Sequence, residues 1–515
     1  MGQMRQPVQA EPVVVSVDIG TSGARAAAFD GSYQVRAGST RRLTTSVGSG
    51  GQSAQSWREI ADATISAVRE VAKSGPLDVR AISLSGTASN LAVSGSAGGA
   101  GRSRDLGEVI LWSDRRAAGF VDGLDEKVPP RERFSRTLCP ADFSYWPAKL
   151  LWAGGQEGSG FRRCQFGGAK DYFFELLTGC FWVDPMTAAA TGIFDSEKWE
   201  WDQPLLAALH LDPHQLPSLH LATDQAPVLA ELAQELGVPD GTPVVVGGMD
   251  GPLAQLGACG FSTDVHTCTA GTSVAYRAGV RHRTVDPAER LWCYPVDPGF
   301  WVVGGAGSNG GNVLDWLAAT IGRGDGARDV AALVSEALAA EPDPGLIFLP
   351  YLNGERAPLW RDDLRAAVVG LAAHHGGPDI VRAALDGVGA ALLELSGAVT
   401  EVTGVPSDVS LTGGFLQDDK WPQLVTDFLG RPTSVPDPQI ATSTGAAVIA
   451  WLSLGEAGPR PPGPARATQR RLPDAAAHTE LVRKTERARA VRTALYGDKK
   501  AKNGMAGAGF ASHGP

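Results

Sequence analysis

The stretch PVVVSVDIGTSGARAAAFD (residues 12–30) decides the fold, and a shorter form of it, VHTCTAGTSVAYRA, recurs at residues 265–278. Each is an apolar run rich in β-branched residues, then a Gly-Thr-Ser turn, then a second run that can pair back as a hairpin. Such a turn presents backbone N–H groups and hydroxyls to an anion, and its glycine lets a phosphate approach closely. Two such hairpins predict a nucleotide held in a cleft between two related domains.

The two Gly-Thr-Ser turns supply the candidate nucleotide-binding residues. Those of the first hairpin are Asp18, Gly20, Thr21, Ser22 and Arg25, and those of the second are Gly271, Thr272 and Ser273. Asp18 ends the first predicted strand, where its carboxylate is placed to hold a hydrated Mg²⁺. An Asx turn in an ordinary hairpin is the structural alternative for this residue. The second copy of the turn favours the functional interpretation.

Size and composition define the broad class of protein. A chain of 515 residues is too long for one ordinary core, so we expect two large domains. Its 43% hydrophobic and 20% charged residues are typical of a soluble globular protein. The net charge of −10 and the pI near 5.5 argue against nucleic acid or an anionic membrane as a partner.

The cysteines, histidines and apolar segments bear on metals and localisation. Six scattered cysteines without a C-x-x-C pair argue against a disulfide framework or a zinc site. His210 and His214 have helical ligand spacing, but Pro213 between them favours a surface turn. The first eleven residues lack the apolar centre of a signal peptide, and no apolar stretch approaches the ~20 residues that span a bilayer. These features predict a cytoplasmic protein.

Strand-like and helix-like segments alternate along the chain, which predicts an α/β fold of parallel βαβ construction. The predicted division is a disordered N-terminus at 1–11, an N-terminal domain at 12–255, a C-terminal domain at 256–456 and a Pro/Gly-rich, partly disordered tail at 457–515. Within the tail, a short helix is predicted at residues 474–495. The Gly/Ser-rich residues 94–108 predict a mobile loop.

Another carboxylate and two glycine-rich turns follow predicted strands. Asp250, in GGMDGPLAQ, precedes a helix at the strand end where ligands of α/β sheets gather, which makes it the best candidate base for a substrate hydroxyl. An N-cap is its structural alternative. GAGSNG at residues 305–310 matches G-x-G-x-x-G, but the compact βαβ unit of a dinucleotide fold is missing. Gly413 and Gly414 form either a tight turn or a contact for nucleotide phosphate or ribose.

The chain lacks the P-loop, protein-kinase and serine-hydrolase motifs. From about residue 13 to about residue 455 it resembles the FGGY carbohydrate kinases of the actin-like and Hsp70 ATPase superfamily. Ten blocks carry the resemblance in the family's order: DIGTSGARAAAFD, VILWSDRRA, KLLW, KDYFFELLTG, TAAATGIFD, GGMDGPLAQLG, AGTSVAYRA, NGGNVLDWL, PYLNGERAPLW and TGGFLQDDKWPQLVTDFLG. GERAPLW and WVVGGAGSNGG are more similar to gluconokinase than to xylulokinase or glycerol kinase.

The resemblance implies two actin-like (RNase H-like) domains with the active site in the cleft between them. It implies Mg·ATP-dependent phosphorylation of a hydroxyl on a sugar, aldonate or polyol, with Asp250 as general base and Asp18 near Mg²⁺. The phosphates would meet Thr21, Ser22 and Arg25 from the first domain and Gly271 and Thr272 from the second. The residues that would frame the adenosine half are Gly311, Asp315, Gly413 and Gly414. Members of the family often form homodimers.

One segment departs from the family pattern. Where relatives carry SGQMHG or SSAMHS, this chain has SGTASNL, which places Thr87, Ala88 and Ser89 in the expected substrate pocket. Small side chains there predict a larger pocket or a different way of recognising the substrate. The other predicted pocket residues are Trp112, Asp114, Tyr145 and Trp146. Arg115 and Arg116 are candidates for a substrate carboxylate, with a solvated helix start as their structural alternative.

Three functions compete at this point. The first is a carbohydrate kinase with gluconate-like specificity, with xylulose, another ketose or a cyclitol as alternative substrates. The second is a non-catalytic nucleotide-binding regulator on the same scaffold, which the SGTASNL departure suggests and the intact Asp18 and Asp250 oppose. The third is an actin-like or Hsp70-like ATPase machine, which leaves GERAPLW and WSDRRA without a role. The sequence favours the first.

Overall fold

The computed structural model describes residues 10–95, 106–321, 330–413, 420–435, 440–455 and 469–498. The described strands are, in chain order, β1 (Glu11–Ile19), β2 (Gly23–Phe29), β3 (Val35–Arg42), β4 (Ser46–Val47), β5 (Ser53–Ser56), β6 (Leu77–Gly86), β7 (Leu91–Ser94), β8 (Glu108–Ile110), β9 (Gln165–Gly167), β10 (Trp182–Val183), β11 (Phe194–Asp195), β12 (Glu200–Trp201), β13 (Ser218–Leu219), β14 (Gln225–Pro227), β15 (Pro243–Met249), β16 (Val265–Ala270), β17 (Val274–Val280), β18 (Trp292–Asp297), β19 (Phe300–Ala306), β20 (Ile347–Leu349), β21 (Ala367–Val369), β22 (Asp408–Thr412), β23 (Thr433–Val435) and β24 (Gln469–Arg471).

The described α-helices are α1 (Trp57–Ala72), α2 (Val121–Asp125), α3 (Pro130–Thr137), α4 (Trp146–Glu157), α5 (Ala169–Thr178), α6 (Pro185–Ala189), α7 (Gln203–Leu209), α8 (Ala230–Leu236), α9 (Asp250–Cys259), α10 (Gly311–Ile321), α11 (Val330–Ala339), α12 (Gly377–Thr403), α13 (Lys420–Leu429), α14 (Ala441–Ser453) and α15 (Ala475–Tyr496).

The N-terminal half is built on a six-stranded sheet in the order β14-β15-β6-β1-β2-β3. Strand β1 pairs antiparallel with β2, its hairpin partner, and parallel with β6. Almost every side chain of β1 is buried, as a continuous apolar run predicts for a strand covered on both faces. The pairing sets Asp18 opposite Arg25 next to the turn of the hairpin, so the first Gly-Thr-Ser turn lies at the carboxyl end of the central strand.

The C-terminal half repeats this arrangement in a seven-stranded sheet of order β18-β19-β17-β16-β22-β23-β24. Strand β16 pairs antiparallel with its hairpin partner β17 and parallel with β22, as β1 does with β2 and β6. The second Gly-Thr-Ser turn therefore lies at the equivalent edge of the second sheet. The predicted α/β fold of two related, actin-like domains is confirmed.

Two helices join the halves. Helix α9 follows β15 at the end of the first sheet, and α14 from the C-terminal half packs against both α9 and β1. Their backbones touch at a glycine crossing: a Cβ on Gly257 would overlap the carbonyl oxygen of Ala441, and a Cβ on Gly445 would overlap that of Leu253. Because a methyl group would separate the helices, glycine at both positions fixes how the halves meet.

Helix α12, with 27 residues, is long and apolar enough to cross a membrane by length and composition. The sequence expectation that no apolar stretch approaches that length is therefore corrected for this segment. Two-thirds of its most apolar window (67%) is buried inside the protein, against α11, α13, α15 and strand β17. Such burial is typical of the core helix of a globular domain.

The described part of the predicted tail belongs to the C-terminal domain. Strand β24 pairs antiparallel with β23 and extends the sheet, and α15 matches the helix predicted at residues 474–495. Ion pairs bind α15 to α12, with Lys484 2.7 Å from Asp386 and Arg492 2.7 Å from Glu394. The disorder predicted at 1–11 and in the rest of the tail, and the mobile loop predicted at 94–108, fall mostly outside the described residues.

Candidate active site

A cavity of about 410 Å³ opens between the two sheets. Its wall draws on the ends of β1, β15 and β16, on both Gly-Thr-Ser turns, and on loops of both halves. The predicted site residues on the wall are Asp18, Gly20, Thr21, Ser22, Arg25, Thr87, Ala88, Ser89, Trp112, Tyr145, Asp250, Gly271, Thr272 and Ser273. Residues more than 200 positions apart in sequence thus share one surface, and this surface is the candidate active site.

The first turn presents a buried carboxylate. The Gly20 N–H donates to the Gly23 carbonyl at 3.1 Å and closes the turn. Arg25 Nη1 donates to Asp18 Oδ2 at 3.1 Å, whereas the buried Asp18 Oδ1 has no hydrogen-bond partner among the described residues. Burial raises the pKa of Asp18, and the Arg25 guanidinium opposes that rise. An orphaned carboxylate oxygen on a cavity wall fits a water of a hydrated Mg²⁺, which keeps most of its own shell.

The second turn forms hydrogen bonds with the first residues of α10. The Gly311 N–H donates to the Gly271 carbonyl at 2.8 Å, and the Asn312 N–H donates to the Thr272 carbonyl at 3.2 Å. A Cβ on Gly311 would come within 2.8 Å of the Gly271 carbonyl oxygen, so glycine is required for this close approach. The hydrogen bonds leave the Thr272 and Ser273 side chains to face the cavity.

Three of the residues predicted near adenosine, Gly311, Asp315 and Gly413, lie outside this cavity wall. Gly311 supports the second turn, and Asp315 is exposed on α10. Gly413 has φ +120° at the end of β22, where a Cβ would overlap the carbonyl oxygen of Ala270. Gly413 thus lets two strand ends converge beside the second turn, and Gly414 lies outside the described residues.

Asp250 is the first residue of α9 and faces the cavity from the end of β15. Two glycines precede the last residue of the strand, and Gly247, at φ +72°, lies so close to Leu84 that a Cβ would overlap its carbonyl oxygen. The Gly251 N–H donates to Asp250 Oδ1 at 2.7 Å. Burial and then the nearby Asp18 charge raise the pKa of Asp250 to about 6, against an opposing effect of Arg277. Asp250 is therefore a carboxylate with raised basicity beside the phosphate turns.

The SGTASNL segment forms part of the wall and is held by hydrogen bonds of both its backbone and its side chains. Thr87 donates from its N–H and its hydroxyl to the Ile19 carbonyl, each at 3.1 Å. Lys149 Nζ donates to the Ser89 carbonyl at 2.6 Å, and Trp146 Nε1 donates to the Asn90 carbonyl at 2.9 Å. Ser89 has φ +54°, a conformation that these contacts impose on a residue other than glycine. Burial lowers the pKa of Lys149 to about 7.

Two predicted pocket residues do not line the cavity. Trp146 is 1% exposed and lies behind the SGTASNL segment, where its indole N–H is already used. Asp114 is also 1% exposed, and its carboxylate accepts from the Ser53 N–H at 2.9 Å and from Arg116 at 2.8 Å. Both side chains therefore lie behind the wall, in the protein interior, because hydrogen bonds to other residues already occupy their polar groups.

The two arginines predicted to meet a substrate carboxylate are also placed elsewhere. Arg116 pairs with Asp114 and Glu108 and stacks over Trp152, and Arg115 reaches the Asn353 carbonyl at 3.3 Å. Neither side chain is on the cavity wall. Any cationic residues on the acceptor side of the cavity therefore belong to other segments.

Sequence reasoning missed several wall residues, which are Ser144, Thr269, Arg277, Trp292, Tyr294, Arg356, Trp360 and Thr442. Arg277 and Arg356 stand inside AGTSVAYRA and PYLNGERAPLW, two blocks that the family resemblance already singled out. The signal that could have identified them is a charged residue inside each of these blocks. Trp292 and Tyr294, stacked with ring centroids 4.3 Å apart, gave no comparable local signal.

Comparison with known proteins agrees with this architecture. Residues 13–257 match the FGGY family of carbohydrate kinases, N-terminal domain, and residues 266–454 match the C-terminal domain of the same family. The chain therefore belongs to the FGGY family of carbohydrate kinases. It is a phosphotransferase of the two-domain actin-like type, and this family uses ATP as the phosphoryl donor.

Individual relatives agree with this assignment. The chain is 30% identical to a gluconokinase of Bacillus licheniformis over 371 residues, which cover 68% of this chain and 71% of that one. It is 28% identical to the xylulose kinase of Escherichia coli (strain K12) over 447 residues, or 85% and 90% of the two chains. The crystal structure of gluconate kinase from Lactobacillus acidophilus superimposes with a TM-score of 0.86 at 27% identity, covering 95% of this chain and 99% of the other.

Proposed function

We propose that this carbohydrate kinase transfers the γ-phosphate of Mg·ATP to a hydroxyl of an aldonate, with gluconate as the leading acceptor. The observation that carries the proposal is the position of Asp250 on one cavity wall with both Gly-Thr-Ser turns. The similarity to gluconokinases supports the choice of acceptor. Xylulose, another ketose or a cyclitol are the alternative acceptors, and xylulose kinases among the relatives favour the first of these.

The donor phosphates would be held by groups from both halves. The N–H groups and hydroxyls of Thr21, Ser22, Thr272 and Ser273 are suited to bind phosphate oxygens. Asp18, with its orphaned Oδ1, would hold a water of the Mg²⁺ shell. When bound, Mg²⁺ supplies positive charge to the β- and γ-phosphate oxygens. Phosphoryl transfer depends mainly on such positioning and charge stabilisation.

Asp250 would act on the acceptor. Its carboxylate accepts the proton of the acceptor hydroxyl while the hydroxyl oxygen bonds to the γ-phosphorus. The bond between the γ-phosphorus and the β–γ bridging oxygen breaks, and ADP leaves with the electron pair. A pKa of about 6 keeps most of the carboxylate ionised near pH 7 and makes it a stronger base than an exposed aspartate.

Substrate-dependent ADP release tests the proposal. Purified protein with Mg·ATP is offered gluconate, other aldonates, xylulose, ribulose, glycerol and several cyclitols, with Asp250→Asn as the control. Gluconate is expected to be the best acceptor, and Asp250→Asn is expected to lose about 10²- to 10⁴-fold in kcat, the usual contribution of a general base. Turnover of xylulose without gluconate overturns the acceptor assignment and keeps the mechanism. ATP binding without any turnover favours the regulatory alternative.

We also propose a cytoplasmic location. No disulfide joins any of the six cysteines in the described part of the chain, and five of them are buried. Reduced thiols in this number fit a reducing compartment. Fractionation of the producing cell with an antibody to the protein tests the proposal, and recovery in a secreted or membrane fraction contradicts it.

A further inference from the structure

Two guanidinium groups on the cavity wall have no anionic partner among the residues that the structure describes. Arg277 and Arg356 both line the cavity, and the Nε of each is buried without a hydrogen-bond acceptor among the described residues. Their hydrogen bonds go to neutral oxygens: Arg277 Nη1 to Thr269 Oγ1 at 2.9 Å and Arg356 Nη2 to the Gly307 carbonyl at 2.8 Å. Neither forms an ion pair in the described part of the chain. Burying a charge in this way is costly unless a ligand completes the site.

The surroundings of Arg277 belong to the phosphoryl-transfer side. It lies on β17, the second strand of the hairpin that carries the Gly271 turn. Its Nε lies within 3.2 Å of where a Cβ on Gly251 would be, directly beside Asp250. Its charge affects the pKa of Asp250 more strongly than the charge of Arg356 does. Arg277 therefore faces the place where the acceptor hydroxyl meets the γ-phosphate.

The surroundings of Arg356 belong to the acceptor side. Its guanidinium carbon lies 3.9 Å from the ring centroid of Trp112, and its charge interacts with Tyr145 and Tyr294. All three aromatic residues line the cavity. The aromatic face holds the guanidinium plane in one orientation and leaves its edge as a hydrogen-bond donor.

The nearest carboxylates do not satisfy Arg356. Glu355 accepts hydrogen bonds from the Ser308 N–H, from Asn309 Nδ2 at 3.0 Å and from the Arg356 backbone N–H at 3.0 Å. Asp142 accepts from the Ser144 N–H at 2.9 Å. Both influence the pKa of the guanidinium without forming an ion pair with it. These carboxylates thus leave the positive charge of Arg356, on the cavity wall, without an ion pair in the described part of the chain.

We infer that Arg356 binds the carboxylate of the acceptor, so that the cavity selects sugar acids over neutral sugars of the same shape. The inference rests on the proposed function and deepens it, because it names the group that the acceptor must carry. A guanidinium offers two parallel N–H donors that match a carboxylate, and such charge-assisted bonds are about twice as strong as neutral ones. Arg277 would instead contact the phosphoryl group, so different arginines would bind the carboxylate end and the reacting hydroxyl end of the acceptor.

The test compares gluconate with gluconamide, which keeps the carbon chain and replaces the charged carboxylate with a neutral amide. Wild-type protein is expected to prefer gluconate in kcat/KM by about 10- to 150-fold, the range for a hydrogen bond to a charged group. Arg356→Gln is expected to bring the two acceptors within a few fold, mainly through a higher KM for gluconate. Arg356→Lys, which keeps the charge without the planar fork, is expected to fall between these values.

Arg365→Gln is the matched control. Arg365 is exposed in the same loop, and among the described residues its side chain donates to the backbone carbonyls of Asp362 and Leu364. This variant is expected to keep the wild-type preference for gluconate. The affinity for ATP, measured by calorimetry without acceptor, is expected to be unchanged in the Arg356 variants, since the inference gives Arg356 no contact with nucleotide.

The outcomes separate this inference from the proposed function. Equal turnover of gluconate and gluconamide by wild-type protein overturns the role of Arg356 and leaves the kinase assignment intact. Equal losses on both acceptors in Arg356→Gln also overturn it, because they indicate a role in the fold or in phosphoryl transfer. Turnover of xylulose with neither gluconate nor gluconamide overturns the proposed acceptor itself. If Arg356→Gln does not fold, the wild-type comparison still decides.

Discussion

Replacing Asp250 with asparagine is expected to change activity and stability in opposite directions. Asparagine keeps the size of the side chain and retains an acceptor for the Gly251 N–H. It removes the base that takes the acceptor proton, and it also removes a negative charge that the folded protein holds partly buried beside Asp18. The variant is therefore expected to lose catalysis and to unfold at a higher temperature.

The size of the stabilisation follows from the pKa of Asp250. Folding raises this pKa from 3.8 to about 6, and one pKa unit corresponds to about 1.4 kcal/mol, so ionisation costs the folded protein at most about 2–3 kcal/mol. Below pH 3.8 the carboxyl is protonated in both states and the cost vanishes. The cost grows as the pH rises and is complete above pH 6. The free energy of unfolding of Asp250→Asn is thus expected to exceed that of the wild type by the largest amount at pH 8.

Thermal unfolding without nucleotide or metal measures this effect. For domains of this size about 1 kcal/mol shifts Tm by about 2–4 °C, so we expect Asp250→Asn to raise Tm by about 4–10 °C at pH 8 and much less at pH 4.5. The control is Asp202→Asn, because buried Asp202 accepts from the Leu205 N–H at 2.8 Å and pairs with Arg136. That control is expected to lower Tm. A lower Tm for Asp250→Asn at pH 8 refutes the reasoning, since it makes the carboxylate a stabilising cap.

Three further predictions follow from the site. Arg277→Gln is expected to raise the pKa of the acid limb of kcat/KM above about 6, because Arg277 opposes the rise in the pKa of Asp250; an unchanged or lower limb contradicts this. Arg492→Met is expected to raise KM for the acceptor a few fold with KM for ATP unchanged, since Arg492 donates to the Tyr351 hydroxyl, five residues before Arg356, at 2.9 Å; equal shifts in both KM values count against it. Gly413→Ala is expected to lower Tm and ATP affinity together, because φ is +120° and a Cβ would meet backbone; wild-type melting and binding would disprove that role.

Local sequence patterns predicted the turns and site residues that lie where strands end. The two hairpins, the turn before Asp250 and the SGTASNL segment were visible because each couples an apolar run to a change in residue type. The carboxyl ends of strands converge at the edge of a sheet, so patterns read separately in two halves predicted one cleft. The structure brings these segments to one cavity wall.

Contacts between residues far apart in the sequence account for the features that could not be predicted from it. Asp114 and Trp146 stand in pocket-like contexts, but their polar groups are occupied by Ser53, Arg116 and the Asn90 carbonyl, and no local pattern encodes those contacts. The same holds for the free guanidiniums on the wall, because an arginine is recognised as unpaired only when all of its neighbours are known. The packing of α15 on the C-terminal domain was hidden for a related reason, since its ion-pair partners lie almost 100 residues earlier.

The way the SGTASNL segment is held has a consequence for the evolution of specificity. Hydrogen bonds to Lys149, Trp146 and Ile19 anchor it, and none of them involves the side chain of Ala88, which packs against the hydrophobic core. A change at Ala88 leaves these hydrogen bonds in place and is expected to cost less in folding than a change at a residue that forms them. The lineage can therefore explore new acceptors at this position while the phosphoryl-transfer apparatus stays under constraint. An engineer who wishes to retarget the enzyme has the same freedom, and Ala88 is where a substrate-switching library should begin.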